Sequence, residues 1–211
     1  MRSILPAILD RKIVAIIRGA DPKHVLDIAQ ALYNGGITMV EVTMNSKDPL
    51  QSIAAIKEKM GNKMLVGAGT VLDKQMAKAA IDAGSQFIIS PSLDIKTIRT
   101  TKEHGVISIP GAFTPTEIVT AFSNGADIIK VFPASIGVQY FADLRGPLPH
   151  IPLMPTGGIH LDNINAFQKA GAIAFGIGSA LVNTKHEITD EYLLSLTGLA
   201  KKFVSAITHP S

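Results

Sequence analysis

Apolar positions in this chain fall into short, nearly unbroken runs, separated by longer stretches where apolar residues recur every three or four positions. Runs of the first kind predict strands buried on both faces, and stretches of the second kind predict amphipathic helices packed against them. Eight runs qualify: residues 13–18, 39–44, 65–71, 87–91, 106–112, 128–133, 153–159 and 173–179. Each ends in a polar or Gly/Pro cluster and is followed by a helical stretch, a glycine, and the next run.

The helix stops give an independent count. Gly36, Gly61, Gly84, Gly105, Gly125 and Gly171 each follow a helical stretch and precede a strand, where a left-handed cap is wanted. Their spacings are 25, 23, 21, 20 and 46 residues, and the last gap holds two units with the seventh strand between them. Helix starts agree: Asp21-Pro22 and Asp48-Pro49 each place an N-cap before a first-turn proline, and Thr114-Pro115-Thr116-Glu117 reads as a capping box. Eight strand–helix units in 211 residues predict an α/β fold, a minimal (β/α)8 TIM barrel forming one domain over residues 1–211. A doubly wound open sheet is the competing arrangement. It needs no such evenness and usually opens with Gly-x-Gly-x-x-Gly after its first strand, a motif missing here.

Composition narrows the class further. At 46% hydrophobic the chain can bury one sizeable core, and no Ser/Gly-rich, Pro-rich or charged linker divides it. The apolar stretches fall far short of the roughly 20 residues needed to cross a bilayer, so no membrane partner is expected. Asp10, Arg11 and Lys12 follow Met1-Arg2-Ser3-Ile4 too closely for a secretory leader, and a cytoplasmic location is expected. With no cysteine there is neither disulfide nor thiol chemistry. Net charge is +3 with a pI near 9.1, but only five arginines occur and the lysines are scattered without interleaved aromatics. That pattern predicts a solvated surface and no nucleic-acid partner; its mild positive balance suits an anionic metabolite.

In a barrel of this kind, reactive groups line the C-terminal ends of the strands. The polar residues there are Arg18, Glu41, Thr43, Asn45, Thr70, Ser90, Lys130, Thr156 and Ser179. Lys130 alone among the fifteen lysines has two strongly apolar residues on each side within a predicted strand, Ile128-Ile129-Lys130-Val131-Phe132. Desolvation there lowers its pKa toward the range where a neutral amine attacks a carbonyl. The plain alternative is an ion-paired lysine or one snorkelling to the rim. Glu41, in Met39-Val40-Glu41-Val42-Thr43, sits in an equally apolar setting that raises its pKa and suits a group that both takes and gives protons. Its plain alternative is a structural pair with Lys130 or Arg18. Gly157-Gly158 after the seventh strand and Gly178-Ser179 after the eighth allow backbone N–H groups to approach an anion; either pair alone reads equally as turn chemistry, and the two together at matching strand ends point to a phosphate site. The histidines at 24, 104, 150, 160, 186 and 209 show no ligand spacing with carboxylates, so neither a metal nor another cofactor is expected.

Six motifs, taken together in order and spacing, carry a family resemblance: Glu41-Val42-Thr43, Val66-Gly67-Ala68-Gly69-Thr70-Val71, Ile89-Ser90-Pro91, Ile109-Pro110-Gly111, Lys130-Val131-Phe132-Pro133 and Pro155-Thr156-Gly157-Gly158-Ile159. From about residue 13 to residue 182 the chain resembles the 2-keto-3-deoxy-6-phosphogluconate/4-hydroxy-2-oxoglutarate aldolases. The resemblance implies a homotrimeric lyase that cleaves 2-keto-3-deoxy-6-phosphogluconate to pyruvate and glyceraldehyde 3-phosphate, with 4-hydroxy-2-oxoglutarate, giving glyoxylate, as a further candidate substrate. It implies Lys130 as Schiff-base nucleophile and Glu41 as general acid/base working through a water. It also implies Thr70 and Pro91 around the pyruvyl carboxylate and Gly157, Gly158, Gly178 and Ser179 at the phosphate site, with Asn45, Phe132 and Thr156 as further substrate-binding candidates.

One departure bears on substrate. Well-known members carry arginine four residues after the catalytic glutamate, where this chain has Asn45. Thr43-Met44-Asn45-Ser46 and Ile16-Ile17-Arg18-Gly19 resemble the 6-phosphogalactonate aldolase branch instead, with Arg18 the candidate for the missing carboxylate-binding charge. Pro155-Thr156-Gly157-Gly158 points back to the gluconate enzymes. Two rivals stand beside the aldolase: a sugar-phosphate epimerase or isomerase using Glu41 and Lys130 for proton transfer without an imine, and a non-catalytic sugar-phosphate sensor.

Overall fold

The computed structural model describes residues 4–208, so His209 and Met1-Arg2-Ser3 lie outside the described residues. A short helix, α1 (Leu5–Arg11), precedes the first strand. The strands are β1 (Ile13–Ile17), β2 (Met39–Thr43), β3 (Leu65–Gly69), β4 (Phe87–Ile89), β5 (Ile107–Ile109), β6 (Gly111–Ala112), β7 (Ile129–Val131), β8 (Leu153–Pro155) and β9 (Phe175–Ile177). The helices after α1 are α2 (Val25–Asn34), α3 (Pro49–Met60), α4 (Lys74–Asp82), α5 (Ile95–Glu103), α6 (Pro115–Ser123), α7 (Val138–Arg145), α8 (Ile164–Lys169) and α9 (Asp190–Thr208). All strand pairs are parallel, in a six-stranded sheet ordered β5-β4-β3-β2-β1-β9 and a three-stranded sheet ordered β6-β7-β8.

The predicted strand 106–112 is therefore two strands. Pro110 has no N–H to give the ladder, and its carbonyl accepts the Lys130 N–H at 2.9 Å. On one side of it Ile107–Ile109 pairs with β4; on the other Gly111–Ala112 pairs with β7. Beyond β8, a single bridge between Thr156 and Gly176 and a bond from Ile173 N–H to the Leu153 carbonyl (3.1 Å) reach toward β9.

Side-chain parity sorts the strands into two faces. Ile13, Ala15, Ile17, Val40, Val42, Ile129, Val131, Phe175 and Ile177 point outward and pack with helix residues such as Ile28, Leu32, Ile53 and Phe167. The alternate residues Val14, Met39, Leu65, Phe87, Ile128, Met154 and Ala174 form a second apolar cluster with α1's Ile8, drawing on both sheets. The parallel sheet is thus curled around an inner face, closed by α1 at its N-terminal end. Inner-face parity continues one step along the strands to Ile16, Glu41, Gly67, Lys130, Thr156 and Gly176, and a further step to Arg18, Gly69 and Gly178.

Helix punctuation largely follows the sequence. Gly36, Gly84, Gly105, Gly125 and Gly171 all take positive φ. Gly61 does not. Its φ is −58°, and the Met60 carbonyl instead accepts from Lys63 and Met64 N–H in a turn that delays the next strand. Thr114 and Glu117 form the full capping box. Asp21 caps a short 3-10 turn, Pro22–His24, through the Lys23 N–H. Asp48 occupies the N-cap of α3 at φ 43° and makes no side-chain cap bond there, contrary to the expectation from its sequence. No helix among the described residues is long and apolar enough to cross a membrane.

Candidate active site

Lys130 lies on β7 between Gly111 and Met154 in register. Its neighbours Ile129 and Val131 turn outward, so its amine is delivered to the inner face and the residue is only 4% exposed. The ring of Phe132, two residues on, lies 4.8 Å from Nζ. Burial pushes the amine's pKa below the ordinary lysine range; Glu41 opposes the shift and Arg18 adds to it.

Glu41, on β2, pairs in register with Ile16 and Gly67 and is 2% exposed. Burial raises its carboxyl pKa, against the pull of Lys130 and Arg18. Room for the carboxyl comes from Gly69, where a Cβ would stand 2.2 Å from Glu41 Oε1. Among the described residues that oxygen has no hydrogen-bond partner, and the ion pairs within 4.0 Å do not include one between Glu41 and Lys130. The two groups feel each other's charge without neutralising each other by contact. The plain alternative of a structural ion pair between them is therefore not what forms.

Arg18 follows β1 at the rim, reaching Asn45 Oδ1 at 3.5 Å and Thr70 Oγ1 at 3.4 Å, both long contacts. Thr70 holds φ at 57°, a backbone conformation that costs a β-branched residue about 1–3 kcal/mol. The strain leaves the threonine at the end of β3, with its hydroxyl toward the guanidinium. Pro91 sits one strand from the amine: its backbone fills the space that a Cβ on Gly111 would take, and Gly111 pairs with Lys130.

A cavity of about 350 Å³ opens at the C-terminal ends of the strands. Of the predicted residues, Arg18, Lys130, Phe132, Thr156, Gly157, Gly158, Gly178 and Ser179 line it. Glu41, Asn45, Thr70 and Pro91 lie outside its wall, the first beside Gly69, the next two bonded to Arg18, the last behind Gly111. Gly157 and Gly158 both take positive φ (81° and 83°), which a side chain would resist. Thr156 is buried with Oγ1 unpartnered, packed where Gly176 lacks a Cβ. Thr43 turns its hydroxyl to Ser46 at 2.9 Å and Ser90 is buried, so neither lines the cavity. Among the described residues no three His, Asp or Glu side chains gather as a metal site.

A buried lysine and a separate buried carboxyl beside a glycine-rimmed cavity are what a family comparison can test. The family model described as KDPG and KHG aldolase matches residues 5–193. The chain belongs to that family. This aldolase is 37% identical over 171 residues to the 2-dehydro-3-deoxy-6-phosphogalactonate aldolase of Escherichia coli (strain K12), covering 80% of this chain and 83% of that one. It is 34% identical over 166 residues to the 2-dehydro-3-deoxy-phosphogluconate aldolase of Treponema pallidum (strain Nichols), covering 78% and 79%. Among solved structures, one described as native KDPGal superposes with a TM-score of 0.87 at 33% identity, covering 93% of this chain and 94% of that one. As a member of the family the chain is a carbon–carbon lyase acting on small molecules.

Part of the aldolase cavity was not foreseen from sequence. His160, Asn183, Thr184 and Lys185 also line it. The loop carrying the last three is fixed by Thr184 Oγ1 donating to the Arg18 carbonyl at 2.6 Å and by Asn183 N–H donating to Tyr192 Oη at 3.1 Å. Its polar sequence has no periodicity to flag it; the only signal was its position directly after Gly178-Ser179.

Proposed function

We propose that this aldolase cleaves a phosphorylated 2-keto-3-deoxy sugar acid through an imine on Lys130. The observation that carries the reading is the buried, pKa-lowered Lys130 amine in the wall of a cavity that the Gly157-Gly158 turn also lines. The neutral amine adds to C2 of the keto acid, and loss of water gives a protonated imine. That imine draws in the electron pair as C3–C4 breaks, leaving an enamine on the pyruvyl half and an aldehyde on the other. Glu41, whose carboxyl pKa burial raises, takes the C4 hydroxyl proton through a water and later returns a proton to C3. The unpartnered Oε1 supports that role. Arg18, steadied by Asn45 and Thr70, receives the carboxylate, with Pro91 and Phe132 flanking the pyruvyl group. Backbone N–H groups of Gly157, Gly158, Gly178 and Ser179 receive the phosphate, with Thr156 between the two ends. No cofactor enters the scheme.

The same reading takes the chain as one domain, a closed (β/α)8 barrel: the Thr156–Gly176 bridge and the Ile109-Pro110-Gly111 junction support the two seams between the sheets. It assembles as a homotrimer in the cytoplasm, giving three times the 22.4 kDa chain mass in sedimentation. On substrate, two observations pull apart. Arg18 held by Asn45 favours a 6-phosphogalactonate-type acid, whereas Thr156 in Pro155-Thr156-Gly157-Gly158 favours the gluconate epimer. Cleavage rates on the two phosphorylated epimers and on 4-hydroxy-2-oxoglutarate decide between them. Borohydride reduction in the presence of pyruvate, followed by peptide mass analysis, tests the chemistry. The expected result is one pyruvyl adduct on Lys130; label elsewhere, or none, sinks the imine and revives the isomerase reading.

A further inference from the structure

Among the described residues no carboxylate lines the cavity, and its basic side chains are Arg18, Lys130 and Lys185, with His160 beside them. Arg18 turns toward Asn45 and Thr70, and the Lys130 amine is consumed as nucleophile in the proposed chemistry. His160 lies 3.4 Å from Asp162. Lys185 is different: among the described residues no carboxylate lies within 4.0 Å of it. Nor is its backbone loosely held. Its N–H donates to Asn183 Oδ1 at 3.2 Å, and Thr184 beside it is bonded to the Arg18 carbonyl across 166 residues of sequence. That loop leaves Gly178-Ser179 through Leu181 and Val182 N–H bonds to the Gly178 carbonyl, both 2.9 Å. An uncommitted cation is thus carried on a pinned loop beside the backbone donors proposed for phosphate.

Backbone N–H groups bind an anion by dipoles and carry no net charge, so they leave most of a phosphate's double charge unbalanced. We infer that Lys185 is a specificity-determining residue of this aldolase, whose ammonium pairs with the distal phosphate of the substrate and favours phosphorylated over unphosphorylated 2-keto acids. This rests on the phosphate assignment above. Solvent reaches the side chain, so the contact is salt-sensitive and of surface strength.

The test compares wild type, Lys185→Met and Lys185→Arg on the faster of the two phosphorylated epimers, on 4-hydroxy-2-oxoglutarate, and in pyruvate trapping on Lys130. Lys185→Met is expected to raise KM for the phosphorylated acid roughly two- to fivefold. KM for 4-hydroxy-2-oxoglutarate and the trapping rate stay at wild-type values, and Lys185→Arg restores most of the loss. Added salt raises the wild-type KM for the phosphorylated acid more than that of the Met variant. An unchanged KM, or an equal rise on both substrates, overturns the role of Lys185 while the phosphate site stands. A wild-type enzyme that cleaves only the unphosphorylated acid overturns the phosphate site itself, and Lys185 with it.

Discussion

Gly69 offers the sharpest test of the proton-transfer assignment, because its replacement moves Glu41 without removing it. A Cβ at position 69 falls 2.2 Å from Glu41 Oε1 and 2.6 Å from its carboxyl carbon, whereas ordinary contact begins near 3.4 Å. In Gly69→Ala the carboxyl must retreat by about 1.2 Å, since the new methyl is rooted in a buried strand. A displacement of about 1 Å at a reacting group costs on the order of 100-fold in rate, or about 2.7 kcal/mol of barrier. The assay is deuterium exchange into the pyruvate methyl group, followed by NMR, with borohydride trapping run in parallel. Exchange is expected to fall about 100-fold while trapping on Lys130 changes little, because imine formation needs the amine rather than the carboxyl. Gly67→Ala, two residues earlier on the same face, is the control. There the new Cβ lies 2.2 Å from the Phe87 ring, so it overpacks the core by about 1–3 kcal/mol and lowers Tm. If Gly69→Ala keeps its fold and exchanges within threefold of wild type, Glu41 is not the group that moves the proton.

Charge around Lys130 gives a pH prediction with opposite signs in two variants. Imine formation needs the neutral amine, so trapping by saturating pyruvate falls away below the Lys130 pKa, which burial holds under the ordinary 10.5. The Glu41 charge raises that pKa and the Arg18 charge lowers it, so Glu41→Gln moves the acid limb to lower pH and Arg18→Ala moves it to higher pH. Shifts in the same direction would refute the electrostatic account. Arg18→Ala also raises the pyruvate Kd if that guanidinium holds the carboxylate; isothermal titration checks it. Away from the site, Thr114→Ala removes the capping box of α6 and costs about 1 kcal/mol, a fall of about 2–4 °C in Tm with catalysis unchanged.

What could be read from sequence was whatever period and local chemistry encode. Apolar runs gave the strands to within a few residues, and Lys130 and Glu41 stood out because charge inside such a run is costly. The break at Pro110 was equally written in the chain, since proline cannot serve a central ladder, yet the nearly continuous apolar run around it masked it. Contacts between distant elements were not legible. Nothing near Gly69 announces that its missing side chain houses the Glu41 carboxyl, and nothing near Thr184 announces a bond to Arg18. Gly61 shows the same limit: a glycine after a helix licenses a left-handed cap without requiring one, and here a turn on the Met60 carbonyl took its place. The histidines divide similarly, for His160 is exposed as its loop position suggests and still belongs to the cavity rim.

The small helix α1 has a consequence for traffic. With Ile8 wholly buried among Val14, Met39, Leu65 and Phe87, the inner face is stoppered at the end opposite Lys130. In the closed barrel proposed above, substrate, solvent and protons share one doorway, and departures must queue. In the proposed chemistry the pyruvyl fragment stays tethered to the amine after C3–C4 breaks, so the aldehyde is expected to leave first. Hydrolysis of the imine then frees pyruvate, and in the synthetic direction the expected order of entry is reversed: pyruvate first, acceptor second.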